Sequence, residues 1–245
     1  MCPQPLSTMD RTGSYILTNE GMTRKPTLGA LVAEAIGGWA MIEAYLGDAF
    51  AAMIGNRRPV TMGMFSAVQS PEIRQVIFLA AAREVMPKRY VRMGEAVLRT
   101  LKPLYDQRNK FAHWLWAISP IVHPKLEDAL LLIEPRKHWE NVMAGAKHGR
   151  KRRVGQLGLF NWWATAPKLS PDFIFVYQEA ELRRICSQME RGFRNSEMLA
   201  ALAGAKGSRR RPLYDRLLLD TDIQAALRQI QKNETKARRP KPNKS

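Results

Sequence analysis

Residues 89–118 read RYVRMGEAVLRTLKPLYDQRNKFAHWLWAI, and the periodicity of the chain changes inside this stretch. Up to His113, the positions Val97, Leu101, Leu104, Arg108 and Phe111 recur at steps of 4, 3, 4 and 3. That is one face of a helix, so the spacing predicts a helix over about 89–113. Pro103 should either kink that helix or begin a fresh one. After His113 the helical period stops. Residues 114–118 and 129–133 are short runs of aromatic, β-branched or leucine residues, separated by a stretch with Pro120 and Pro124. They predict a small antiparallel pair, although a leucine run fits a helix equally well.

Working outward, Ile36, Trp39, Glu43, Leu46, Phe50 and Met53 fall at steps of 3, 4, 3, 4 and 3, which predicts a first long helix over 28–54. Gly55-Asn56 and Pro59 supply its stop. Residues 60–70 read as a connector with some helical character. Ser70, Pro71 and Glu72 form a helix start, and Met86-Pro87 closes that helix. Further on, 135–171 reads as a basic and aromatic loop, 173–177 as a strand, 178–205 as a long helix and 214–231 as a last one. The expected organisation is a disordered segment 1–27, a helical domain 28–205, a basic linker and helix 206–231, and a disordered basic tail 232–245. The fold class is mainly α, a helical bundle with a small β-hairpin inserted after the 89–113 helix.

Composition narrows the function classes. An apolar share of 45% supports a sizeable core. Two cysteines, Cys2 and Cys186, make no disulfide framework and lack metal-ligand spacing, which points to a reducing, cytoplasmic setting. No secretory pattern is visible at the N-terminus, and Glu34, Glu43 and Asp48 argue against a membrane span in 28–54. The net charge is +17, of which +14 lies in three segments: 147–153 (KHGRKRR), 206–211 (KGSRRR) and 232–245. Lys147, Arg150, Lys151, Arg152, Arg153, Arg209, Arg210 and Arg211 are therefore candidate phosphate contacts to a nucleic acid. Solvated loops serving solubility are the plain alternative. Phe160, Trp162 and Trp163 could stack bases, or pack their loop onto the core. His123, His138 and His148 show no ligand spacing, and no phosphate-binding glycine loop, nucleophile elbow or paired-carboxylate motif occurs.

Two charged residues occupy core-facing stripes: Glu43 on the first helix and Arg108 on the third. A charge there is costly unless it is paired, so the stripes predict that the two helices are neighbours and that Glu43 meets Arg108. A purely architectural ion pair, or stripes whose edge reaches the surface, would satisfy the same pattern. Asn109 and His113 are four apart and share a helical face, with Arg108 about 100° round from Asn109. An amide, an imidazole and a guanidinium at one helix end can bind a phosphodiester, orient a ribose hydroxyl and move a proton.

The string Arg108-Asn109-Lys110-Phe111-Ala112-His113 resembles the signature of the HEPN (higher eukaryotes and prokaryotes nucleotide-binding) superfamily: arginine, then a polar residue, then histidine after four to six intervening residues. The long first helix with Glu43 and the late position of the motif are also similar to that family, over roughly residues 28–205. The resemblance implies a HEPN-like up-down bundle and a metal-independent endoribonuclease without cofactor. It implies catalytic roles for Arg108, Asn109, His113 and Glu43, RNA as substrate, and a homodimer bringing two motifs together. A toxin or defence role, with an antitoxin or regulatory partner, belongs to the same reading. His113 is followed by Trp114, so the tyrosine modified in some toxin members has no counterpart at that position. The family also contains non-catalytic members, and the alternative reading is an interaction module binding nucleotide or nucleic acid. A third, a DNA-associated scaffold driven by the basic tail, needs no role for His113.

Overall fold

A computed structural model describes residues 3–9, 15–18, 20–55, 58–119, 124–149 and 170–237. The chain is mainly helical with a small antiparallel sheet. It divides into two compact units, Met1–Ile36 with Gln107–Ser187, and Gly37–Asp106 with Gln188–Ser245.

The first unit holds the sheet. Its strands are β1 (Gln4–Pro5), β2 (Ile16–Leu17), β3 (Leu115–Ile118), β4 (Leu130–Ile133) and β5 (Ile174–Tyr177), in the order β1-β5-β4-β3-β2, each pair antiparallel. β4 is central and its four residues are all buried, which is why it reads as an unbroken apolar run rather than an alternation. Leu131 and Ile133 face a core with Leu6, Ala117, Leu126, Ala129, Ile174 and Val176. The expected 114–118 and 129–133 pair is thus present as β3 and β4, with Leu115 opposite Ile133 and Ala117 opposite Leu131.

Two expectations are corrected in this unit. The N-terminal segment, read as disordered, supplies β1, β2 and the one-turn helix α1 (Gly21–Arg24), and Leu6 is fully buried. Two-residue strands carry no period of their own; their partners lie 100 or more residues away. Residues 135–149, read as loop, form the helix α7 (Pro135–Gly149). Pro135 at its start and the i,i+3 and i,i+4 bridges of Glu140 to Lys137 and Arg136 support it. The rest of that expected loop, with Phe160, Trp162 and Trp163, lies outside the described residues.

The second unit is helical. α2 (Pro26–Ile54) contributes residues 37–54, followed by α3 (Arg58–Ala67) and α4 (Pro71–Val85). Gly55, at φ 76°, ends α2 in the left-handed conformation that glycine adopts without strain. Ser70 caps α4, its hydroxyl accepting the Ile73 N–H at 3.2 Å. α5 (Lys88–His113) is one continuous helix through Pro103, whose own side chain and that of Arg99, the residue whose carbonyl loses its helical donor, are exposed. Then come α6 (Pro124–Glu127) and α7 in the first unit, and α8 (Glu179–Gly204), shared by both. Gly192 of α8 lets the helices close: a Cβ there would fall 2.7 Å from Leu104 and 3.2 Å from Ile42. The expected last helix is two, α9 (Arg210–Leu217) and α10 (Thr221–Ala237), because Asp220 caps the second by accepting the N–H groups of Asp222 and Ile223. α10 runs into the segment read as a disordered tail, and Glu234 within it pairs with Arg92 of α5.

By length and composition α2 is apolar enough to cross a membrane. In the second unit it buries Trp39, Ile42, Leu46, Ala49, Phe50 and Met53 in protein, and its Glu43 is ion-paired.

Candidate functional site

The final turns of α5 carry the motif, and the sheet of the first unit holds them. Phe111 is buried with its ring 5.3 Å from Tyr177 and 5.7 Å from Trp116. Gln107 donates to the Tyr177 hydroxyl at 2.9 Å, and the Trp116 indole donates to the Phe111 carbonyl at 3.2 Å. The helix end is thereby clamped, by packing and by two hydrogen bonds, onto the face of the sheet that does not line the Leu131–Ile133 core.

On this clamped turn Arg108 and Asn109 are half-buried, and the Arg108 guanidinium donates from Nη1 to Asn109 Oδ1 at 3.1 Å. Arg108 Nε is buried and meets no acceptor among the described residues. His113, the last residue of α5, is exposed, and its ring forms no hydrogen bond to a described residue. A cation at a helix C-terminus is favoured by the helix dipole, which suits Lys110. Lys110 lies over two rings, 5.2 Å from the centre of Trp114 and 5.5 Å from that of Phe175. Lys110 and Phe175 were not singled out from the sequence, and Trp114 was noted there only as the residue that follows His113. Lys110 lies inside the motif, and the aromatic sequence around it was its available signal.

Glu43 belongs to the second unit and the motif residues Arg108, Asn109 and His113 to the first. Its carboxylate accepts from Arg74 Nη1 at 2.6 Å, and Arg74 also donates from Nε to the Val68 carbonyl. The ion partner expected for Glu43 was Arg108; the one observed is Arg74, on the first turns of α4. A periodic stripe tells which face a charge occupies but does not say which neighbour faces it.

The basic candidates separate. Arg209 is exposed. Arg210 is half-buried, donating to the Ala205 carbonyl at 2.7 Å and lying 5.6 Å from the Tyr90 ring centre, so it closes the end of α8. Arg211 is bridged to Asp215 at 2.9 Å. The side chain of Lys147 and residues Arg150, Lys151, Arg152 and Arg153 lie outside the described residues.

Cys186, Tyr15 and His138 are engaged within the first unit. The Cys186 thiol donates to the Leu31 carbonyl at 3.2 Å, and burial pushes it up to about 11, so it stays protonated at neutral pH. Tyr15 and His138 share a 2.8 Å hydrogen bond; burial raises the phenol and lowers the imidazole. Among the described residues no three His, Cys, Asp or Glu side chains gather as metal ligands would.

A mainly helical chain with a small antiparallel sheet, carrying an arginine–asparagine pair and an exposed histidine at the end of one long helix, is the class that fold and site define. Comparison with protein-family models, with curated proteins and with solved structures finds no match.

Proposed function

We propose that the chain is a metal-independent endoribonuclease of the HEPN type, acting on RNA as a cytoplasmic homodimer in a toxin or defence role. The observation that carries this reading is the Arg108–Asn109 contact on a helix end clamped by Phe111, Gln107 and Trp116, with His113 exposed one turn beyond. A guanidinium already held by a neighbouring amide is preorganised to neutralise charge on the non-bridging phosphate oxygens. His113 takes the proton of the 2′-hydroxyl or returns one to the leaving 5′-oxygen. The 2′-oxygen attacks phosphorus, the bond to the 5′-oxygen breaks, and the products are a 2′,3′-cyclic phosphate and a 5′-hydroxyl. One imidazole per chain performs one of the two proton transfers, and the second protomer supplies the other. Lys110, over Trp114 and Phe175, offers a cation beside aromatic faces to which a single-stranded base can stack.

One observation favours the non-catalytic alternative. Glu43, one of the four residues given a catalytic role, is engaged in an ion pair with Arg74. Incubating the purified protein with total RNA in EDTA separates the two. The endoribonuclease cuts it; the binding module retards RNA and leaves it intact.

A further inference from the structure

α10 turns one side to the helical unit and the opposite side to solvent. Ile223 and Ile230 are buried, and Glu234, on the same side, pairs with Arg92. Arg228, Lys232 and Lys236 follow one another at i, i+4 and i+8 on the opposite side, and all three are exposed. The helix has two acidic residues, and both are bridged elsewhere, Asp222 to Arg191 and Glu234 to Arg92. No salt bridge joins any of the three cations to a described residue. Other helices of the chain behave differently. Arg24, Arg99, Lys102, Arg136, Arg183, Arg194 and Arg211 are each exposed and each bridged to a carboxylate one turn away. Like charges one turn apart repel and weaken a helix, so a line of three without an interleaved acid gains from anions brought by a partner.

The shape of the line narrows the partner. Its three cations span ~12 Å along the helix axis, at ~6 Å a step. A compact anion reaches one of them, whereas a linear polyanion charged at short regular intervals reaches all three. Gln229 and Asn233 on one flank, and Gln231 and Thr235 on the other, are exposed and neutral, of the side-chain types that bond phosphate and sugar oxygens. An anionic membrane suits the helix less, because the apolar side that would enter lipid is already buried against protein. We propose that the Arg228–Lys232–Lys236 face of α10 binds the phosphodiester backbone of nucleic acid, without reading base or sugar. The site shares no residue with Arg108, Asn109 and His113, and it stands whether or not the chain cuts RNA.

Single-stranded DNA and 2′-O-methyl RNA of one sequence are suitable probes, because neither has the attacking hydroxyl and binding is read without cleavage. Affinity is measured by fluorescence anisotropy over a salt series. Replacing Arg228→Gln, Lys232→Gln and Lys236→Gln together should flatten the slope of log affinity against log salt by about 2, at ~0.7 per lost contact. Both probes should weaken at least ~10-fold at low salt. Lys232→Gln alone, in the middle of the line, should flatten the slope by ~0.7. Arg83→Gln, Lys88→Gln and Arg216→Gln together remove the same charge from other exposed positions of the same unit, and should change either affinity by no more than about twofold where salt screens distant charges. All the variants should keep the parent's circular dichroism spectrum and unfolding midpoint, since every replaced side chain is exposed. The proposal is overturned if the slope is unchanged, if the control variant loses as much affinity, or if the loss is confined to one of the two sugars. It is equally overturned if the triple variant holds both probes as the parent does and instead loses phosphatidylserine vesicles, which would make this face a membrane contact.

Discussion

His138 is 4% exposed and its Nδ1 lies 2.8 Å from the Tyr15 hydroxyl, an arrangement met by a neutral imidazole accepting from the phenol. Burial lowers its pKa below the ordinary ~6.5, so between that value and the folded one the unfolded chain binds a proton that the folded chain does not. Stability is therefore complete above ~6.5 and is lost as the pH falls from there through the folded value. Urea midpoints measured from pH 7.5 to 5 should drop in the parent more steeply than in His138→Gln; equal slopes would show that the imidazole is not responsible. The residue scale is also where sequence reading reached the site most unevenly. Asn109 and His113 could be placed on one face because helical spacing alone decides it. The partner of Glu43 could not, because Arg74 is 31 residues away and its approach depends on how α3 turns the chain back.

At the scale of elements, what was legible came from local chemistry. α4 announced itself through Ser70, Pro71 and Glu72, and the Ser70 cap is made as expected. β4 was legible as an apolar run, but only tertiary contact decides that it is a strand between β3 and β5. α7 was missed because His138 alone is buried among its described side chains, and its glycines and lysines read as loop. The break between α9 and α10 was missed because Leu217, Leu218 and Leu219 run straight into Asp220 and hide the cap. That cap makes a prediction. Burial works to raise the Asp220 carboxyl, but hydrogen bonds from the Asn195 side chain and from the Ile223 and Asp222 N–H groups, with Arg191 nearby, hold it below its ordinary value. Asp220→Ala should cost about 0.5–2 kcal/mol of unfolding free energy at pH 7. A depressed carboxyl stabilises the fold above its unfolded pKa and loses that contribution as pH falls through the folded value, so the ionic part of the difference between parent and variant should shrink in acid. A difference that stays constant from pH 7 to pH 3 would contradict the assignment.

For the whole molecule, the coarse reading of a mainly helical chain with a small sheet was legible, and its division was not. α2, α5 and α8 each carry residues of both units, so no linker marks a boundary in the sequence. The basic charge also looks different in three dimensions. Arg210 and Arg211 are engaged within the fold, while Arg238, Arg239, Lys241 and Lys244 come after the end of α10. Truncation after Ala237 keeps the Glu234–Arg92 bridge and removes those four charges. If each meets a phosphate, the slope of log affinity for single-stranded RNA against log salt should flatten by about 0.7 per contact, with the unfolding midpoint unchanged; an unaltered slope would show that the tail makes no phosphate contact. The proposed activity rests above all on His113, which is exposed at the end of α5, so its removal should leave packing intact. The most direct measurement compares wild type and His113→Ala on the same single-stranded RNA in EDTA, with the product ends identified by mass spectrometry. The account predicts 2′,3′-cyclic phosphate and 5′-hydroxyl ends from the wild type, and cleavage slowed at least ~100-fold in a variant that still folds and binds RNA. Undiminished cleavage by His113→Ala, or a wild type that binds RNA and never cuts it, would contradict the account.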